Sequence, residues 1–250
     1  MSEIRIVLVE PSHPGNIGAA ARAMKNMGLE RLMLVRPRRF PDSEATARAS
    51  GAESLLAQAR VVGSLAEALE GCGFVAATTS RERDQNFRVL DVRDAAARLV
   101  GEAHRAPTAL LFGAERTGLT NEDLEPCHAL VRIPADAAYP SLNLAMAVQI
   151  AAYEVYRART AHASRTGESA VHQPPAVPLA TPEEMQRLYA HLEAVMEEVD
   201  FRDRTQSGTH LMSRIRRFLQ RAELDQNEAN ILRGLLTAVQ QRRRAAGPRS

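Results

Sequence analysis

Two cysteines in 250 residues, Cys72 and Cys127, are too few and too far apart for a disulfide framework or a zinc knuckle. The expectation is two buried free thiols and no metal or redox chemistry. No apolar run approaches the ~18 residues that a membrane span requires. The N-terminus, MSEIRIVLVE, passes straight into a strand-like pattern without a basic region or cleavage site. A cytoplasmic protein with no membrane contact is therefore expected. Lysine is scarce too, Lys25 being the single one among 32 basic residues. In FGAERTGLTNEDL (112–124), Gly113 and Gly118 are spaced as in a phosphate-binding P-loop, but Leu119 stands where such a loop needs its Lys. That spacing therefore does not make a nucleoside triphosphate site. A dinucleotide site fails on similar grounds: Gly15 and Gly18 follow the first apolar run, yet the G-x-G-x-x-G spacing is missing and no acid ends the second strand at LVRP.

What is present is ample apolar material: 45% hydrophobic residues with 14 Gly and 13 Pro, enough for one core of roughly 150 residues and a smaller unit. Short apolar runs at 4–10, 31–37, 73–80, 108–113 and 129–134 read as buried parallel strands. Helical stretches lie between them, such as NIGAAARAMKNMG with Gly28 at the C′ position. The alternation predicts an α/β domain with helices on both faces of a parallel sheet, and ligands of such sheets gather at the carboxyl ends of the strands. Here those ends are residues 11–22, 78–80, 113–118 and 134–143. A long amphipathic helix then gives way at 161–180 to a segment rich in small residues and Pro, read as a linker. Thr181, Pro182 and Glu184 open a new helix with a capping box, and 181–199, 209–221 and 225–243 read as three helices, the last with Asp225 and Glu228 in the same spacing. The predicted division is a domain at 1–160, a linker at 161–180 and a small all-α domain at 181–250.

The net charge of +2 hides a local excess in that last domain. Arg202, Arg204, Arg214, Arg216, Arg217 and Arg221 face one acid, Asp203, and Arg242, Arg243 and Arg244 follow. Either a phosphate-binding face or a solvated helix surface would produce such a run. Among the strand-end residues, Asn16 reads as a turn or cap residue and His13 as a turn residue. Arg22 is either a surface cation or a functional one beside a smooth face of Ala19, Ala20, Ala21 and Ala23 that invites close packing. Thr120 reads as a helix cap. Ser141 reads as another, ahead of the mostly core-forming Leu142, Leu144, Met146 and Val148.

Three segments taken together resemble one family. N-x-G-x-x-x-R from Asn16 to Arg22, LLFGAERTGL from Leu110 to Leu119, and IP…YPSLNLAMAVQIAAYE from Ile133 to Glu154 are similar to the three motifs of SPOUT RNA methyltransferases, in order. The N-terminal stretch, the linker and the final NEANILRGLL resemble, over the full length, the bacterial tRNA 2′-O-methyltransferases that modify nucleotide 32 of the anticodon loop, cytidine or uridine. The resemblance implies a C-terminal trefoil knot in the α/β domain, S-adenosylmethionine as methyl donor, a homodimer, and tRNA as substrate. By that likeness Thr78, Thr79, Ser80, Gly113, Glu115, Gly118, Ile133, Ser141, Leu142 and Asn143 would surround the donor. Arg22, Asn16, Glu115, Tyr139, Ser141 and Asn143 would serve catalysis, with Arg22 reaching across the dimer, Glu115 orienting Arg22 and Asn16, and Tyr139 lining the site. Arg22, Arg214, Arg216, Arg217 and Arg221 would contact RNA.

Methyl transfer from a sulfonium to a ribose 2′-OH is an in-line displacement that needs alignment and loss of one proton, and no metal. Arg22 is too basic to take that proton; its expected part is to hold the target phosphate and ribose oxygen. A 2′-O-methyltransferase acting on another tRNA or rRNA site, a non-catalytic RNA-binding module and a nicotinamide enzyme are the competing readings.

Overall fold

Alternate residues of the first strand belong to opposite sides of one sheet: Ile6 and Leu8 pack into one apolar cluster, Val7 and Val9 into the other. The computed structural model describes residues 3–80, 87–166, 177–201 and 211–246. In chain order the elements are β1 (Ile4–Val9), α1 (Pro14–Asn26), β2 (Arg31–Val35), α2 (Ser43–Ala49), α3 (Glu53–Ala57), β3 (Arg60–Val62), α4 (Leu65–Leu69), β4 (Phe74–Thr78), β5 (Arg88–Asp91) and α5 (Val92–Glu102). There follow β6 (Thr108–Phe112), α6 (Asn121–Leu124), β7 (Ala129–Arg132), α7 (Leu144–Thr166), α8 (Pro182–Glu198), α9 (Leu211–Ala222) and α10 (Gln226–Ala246). The seven strands are all parallel, in the order β3-β2-β1-β6-β4-β7-β5. The five expected strands are the central five. The two edge strands went unforeseen because three residues of RVV and the half-polar RVLD are too short and too exposed to leave an apolar run.

Helices cover both faces. Residues of α1, α2, α3, α5 and α7 join the strands in the larger cluster, while α4 and α6 close the other side with Leu69, Leu124 and both cysteines. Cys72 and Cys127 are buried free thiols, and burial drives the Cys72 pKa up to about 12 and that of Cys127 up as well. Gly28 takes φ +64° at the end of α1, as a C′ glycine should. The alanine face of α1 does pack closely, and within the same chain. Ala20, Ala21 and Ala23 are buried in the chain's own core against α2 and α7, so they offer nothing to a second subunit. Gly18 belongs to the same packing: a Cβ there would lie 2.0 Å from the Ala45 carbonyl oxygen of α2.

The first residues of the linker expected at 161–180 are helical, since α7 continues to Thr166; 167–176 lie outside the described residues. The three C-terminal helices form a separate core around Met185, Leu188, Tyr189 and Leu219. Thr181 and Glu184 close the anticipated capping box on α8, and Asp225 and Glu228 exchange the same pair of bonds on α10. Leu179 bridges to Asp225, tying the entry of this unit to the turn before α10.

Candidate active site

The carboxyl ends of β4, β6 and β7 are neighbours in the sheet, and a cleft of ≈ 270 Å³ opens between the loops that leave them. Its walls are Phe112, Leu119, Val131, Ile133, Leu142 and Leu144, and its polar groups come from Thr78–Ser80, the 113–118 turn and Ser141. Leu119, which replaces the P-loop lysine, is 4% exposed and packs into the core. Gly113 and Gly118 are needed by the turn itself. Gly118 has φ +68° and its N–H donates to the Ala114 carbonyl at 2.8 Å, while a Cβ on Gly113 would fall 2.2 Å from the Gly118 carbonyl carbon. Glycine at 113 is thus required by the close approach of the turn to itself. Thr78 spends its hydroxyl on the Leu111 carbonyl at 2.9 Å, fixing β4 against β6.

Glu115 is the electrostatic centre. Ser12 donates to its Oε2 from both N–H (2.9 Å) and Oγ (2.7 Å), and Oε1 accepts from the His13 N–H (3.2 Å) and Asn16 Nδ2 (2.9 Å). Burial works to raise its pKa, but the hydrogen bonds from Asn16 and Ser12 outweigh that and hold the carboxyl down to about 2. The β1–α1 turn is therefore clasped to a permanent negative charge at the mouth of the cleft. His13 is the N-cap of α1, its Nδ1 accepting from the Gly15 N–H, so Asn16 lies in the first helical turn and not at the cap.

Asn143 joins this network. Its Nδ2 donates to Asn16 Oδ1 at 3.0 Å and its Oδ1 accepts from the Ala145 N–H at 2.9 Å, which makes it the cap of α7 in place of Ser141. Thr120 does cap α6, through a capping box with Asp123. Of the residues expected around a donor, Thr78, Thr79, Ser80, Gly113, Glu115, Gly118, Ile133, Ser141 and Leu142 all line the cleft; Asn143 does not, and its side chain is bonded to Asn16. Tyr139 does not line it. The Asp136–Tyr139 turn carries it outward, where it is 79% exposed. Met146 likewise leaves the core at 62% exposure. Arg22 stands on the exposed side of α1, six residues or about 9 Å along the axis from Asn16, and has no hydrogen bond or ion pair among the described residues. Glu115 orients Asn16 but does not touch Arg22.

The arginines of α9 are divided. Arg216 pairs with Glu125 (3.2 Å) and Glu193 (3.8 Å), and Arg217 lies over the Phe87 ring at 3.8 Å, so these two of the expected RNA contacts dock α9 against its surroundings. Arg214 and Arg221 are exposed; Arg202 and Arg204 lie outside the described residues. Sequence reasoning missed Ser12, whose dependence on Glu115 appears only once β1 and β6 are known to be neighbours. It also missed His128, which is buried and accepts from the Val75 N–H at 3.1 Å; burial lowers its pKa to about 4 and keeps it neutral. Among the described residues no group of three His, Cys, Asp or Glu is placed to hold a metal, and no helix is long and apolar enough to cross a membrane.

Comparison with known proteins identifies the family of the chain. The SpoU rRNA Methylase family profile matches residues 3–153, and that of the tRNA methyltransferase TrmJ C-terminal domain matches residues 183–249. A tRNA (cytidine/uridine-2′-O-)-methyltransferase TrmJ from Sodalis glossinidius is 45% identical, over 99% of this chain and 95% of its own. The crystal structure of TrmJ from Z. mobilis ZM4 superposes with TM-score 0.79 at 32% identity, covering 94% of this chain and 98% of that one. The SpoU methyltransferase AviRb from Streptomyces viridochromogenes, solved in complex with the cofactor AdoMet, superposes with TM-score 0.52 at 26% identity over 64% of this chain and 62% of its own. The chain belongs to the SpoU methylase family and, along its whole length, to the TrmJ methyltransferases within it.

Proposed function

We propose that this protein transfers a methyl group from S-adenosylmethionine to the ribose 2′-OH of cytidine or uridine at nucleotide 32 of tRNA. The observation that carries the reading is the cleft at the ends of β4, β6 and β7, joined through Glu115 to Asn16 and Asn143. The SpoU profile is named for rRNA, but the match of residues 183–249 to the TrmJ C-terminal domain favours tRNA. Such an enzyme would work in the cytoplasm.

The cleft suits the donor chemically. Its apolar walls can take an adenine ring, its threonine, serine and backbone groups can bond the ribose and amino-acid ends, and the fixed charge of Glu115 favours a cation nearby. When bound, the donor supplies an activated methyl group: the bond from carbon to the ribose oxygen forms as the bond to sulfur breaks, and the hydroxyl proton leaves. Asn16, held by Glu115 and Asn143, positions the hydroxyl. Arg22 holds the adjoining phosphate, and a phosphate oxygen or water takes the proton, because a guanidinium cannot.

The same reading includes a trefoil knot in the 1–160 domain, a helical tRNA-binding domain at 181–250, and a homodimer in which Arg22 serves the partner's cleft. Supporting the dimer, Met146, Tyr153 and Tyr156 leave an apolar stripe exposed on α7 beside α1, and Arg22 is free of partners among the described residues. Calorimetry tests the cleft. One donor molecule should bind per chain without added metal, and absence of binding to folded protein would overturn the assignment.

A further inference from the structure

The arginine cluster of α9 is split by the fold into a docking side and a free side. On the docking side, Arg216 lies over the Tyr189 ring at 5.4 Å and pairs with Glu125, whose carbonyl also accepts from Gln220. Arg217 covers Phe87, and Glu223, just past the helix, receives Arg98 through both nitrogens (2.6 and 2.5 Å) with Arg88 at 3.5 Å. Three acids near α9 are thereby engaged: Glu125 and Glu193 by Arg216, and Glu223 by Arg98 and Arg88.

On the free side stand Arg214, Phe218 and Arg221, at i, i+4 and i+7, within an arc of about 60° and a length of about 10 Å. Both arginines are exposed with no ion pair or hydrogen bond among the described residues, and Phe218 is 50% exposed between them. An aromatic ring on solvent costs burial energy, and neither arginine has an ion pair among the described residues; Arg221 in the last turn suits the helix dipole, but Arg214 and Phe218 gain nothing comparable from the helix that displays them. The triad matches a strand with phosphates about two helical turns apart and an unstacked base between them. An acidic peptide would answer the charges but leave the ring without a π-face to meet.

We propose that Arg214, Phe218 and Arg221 bind an unpaired stretch of RNA, the arginines on its phosphates and Phe218 stacked on a base. The inference rests on the tRNA reading above and names the surface that would hold the substrate's loop. It also removes Arg216 and Arg217 from the RNA contacts: they hold α9 so that this face points outward.

The test uses full-length protein with unmodified tRNA transcript, an oligouridine strand and an RNA duplex of the same length, read by fluorescence anisotropy across a salt series. Replacing Arg214 and Arg221 together by Ala should weaken binding and reduce the slope of log affinity on log salt by about 2. Phe218→Ala should weaken tRNA and oligouridine binding roughly tenfold, without changing the slope and with little effect on duplex. Phe218→Tyr should restore it and Phe218→Leu should not, which distinguishes stacking from packing. Donor affinity should stay that of wild type throughout. Wild-type protein that binds and methylates tRNA while the variants keep its affinity, or a rescue by Leu, overturns the inference and leaves the function standing. Wild-type protein that neither binds nor methylates tRNA overturns both.

Discussion

Glu115 shows how one carboxylate can organise a site made from three distant segments. It takes four hydrogen bonds from Ser12, His13 and Asn16, and Asn16 in turn meets Asn143. Hydrogen bonds to a charged group are worth about 1.5–3 kcal/mol each when a partner would be left unmatched. Glu115→Gln puts an amide N–H₂ where donors already point. It should cost about 2 kcal/mol in denaturant titration and lower methyl transfer at least about tenfold; wild-type turnover would show that the network is decorative. His128 allows a test by pH. Its folded pKa, lowered by burial to about 4 from 6.5, means that the unfolded chain binds the extra proton between those values. Stability should therefore fall as pH drops from 6.5 toward 4, with a slope approaching about 1.4 kcal/mol per unit, and His128→Phe should flatten it. Glu115 acts lower, its contribution fading from about pH 4.5 toward 2. The residues of the 113–118 turn could be read from the sequence because glycines and a lone acid stand out at a strand end. Ser12 and His128 could not, since their partners lie 103 and 53 positions away.

At the scale of elements, the central strands were legible because burial on both faces makes them continuous apolar runs, and the edge strands were not because they lack that burial. Helix caps were legible where the box spacing was complete, as at Thr181 and Asp225. Asn143 displaced Ser141 because its side chain bonds α1 and α7 at once, a tertiary fact. The alanines around Arg22 show the limit of reading a face: small residues announce close packing but not the partner, which is α2 and α7 of the same chain. Two glycines test this packing against helix propensity. Gly101 in α5 has open space where its Cβ would go, so Gly101→Ala should stabilise the protein by up to about 1 kcal/mol. Gly18→Ala, with the Ala45 carbonyl in the way, should destabilise it by about 1–3 kcal/mol. Equal effects in urea titration would contradict the α1–α2 crossing.

For the whole molecule, two cores meet along a seam of ion pairs between the α/β domain and the C-terminal helices, and an apolar stripe on α7 is left facing solvent. The Met146→Arg, Tyr153→Arg double variant should convert a dimer to monomers in light scattering and abolish methyl transfer while circular dichroism stays native. A wild-type monomer that methylates would remove Arg22 from its proposed place in a partner's cleft. The central claim is the reaction itself, and nucleotide-resolution mapping of ribose methylation tests it most directly. Unmodified tRNA transcript incubated with the protein and S-adenosylmethionine should acquire one new 2′-O-methyl group, at cytidine or uridine 32. Methylation at another nucleotide, methylation on a base, or none from protein that binds both substrates would contradict it.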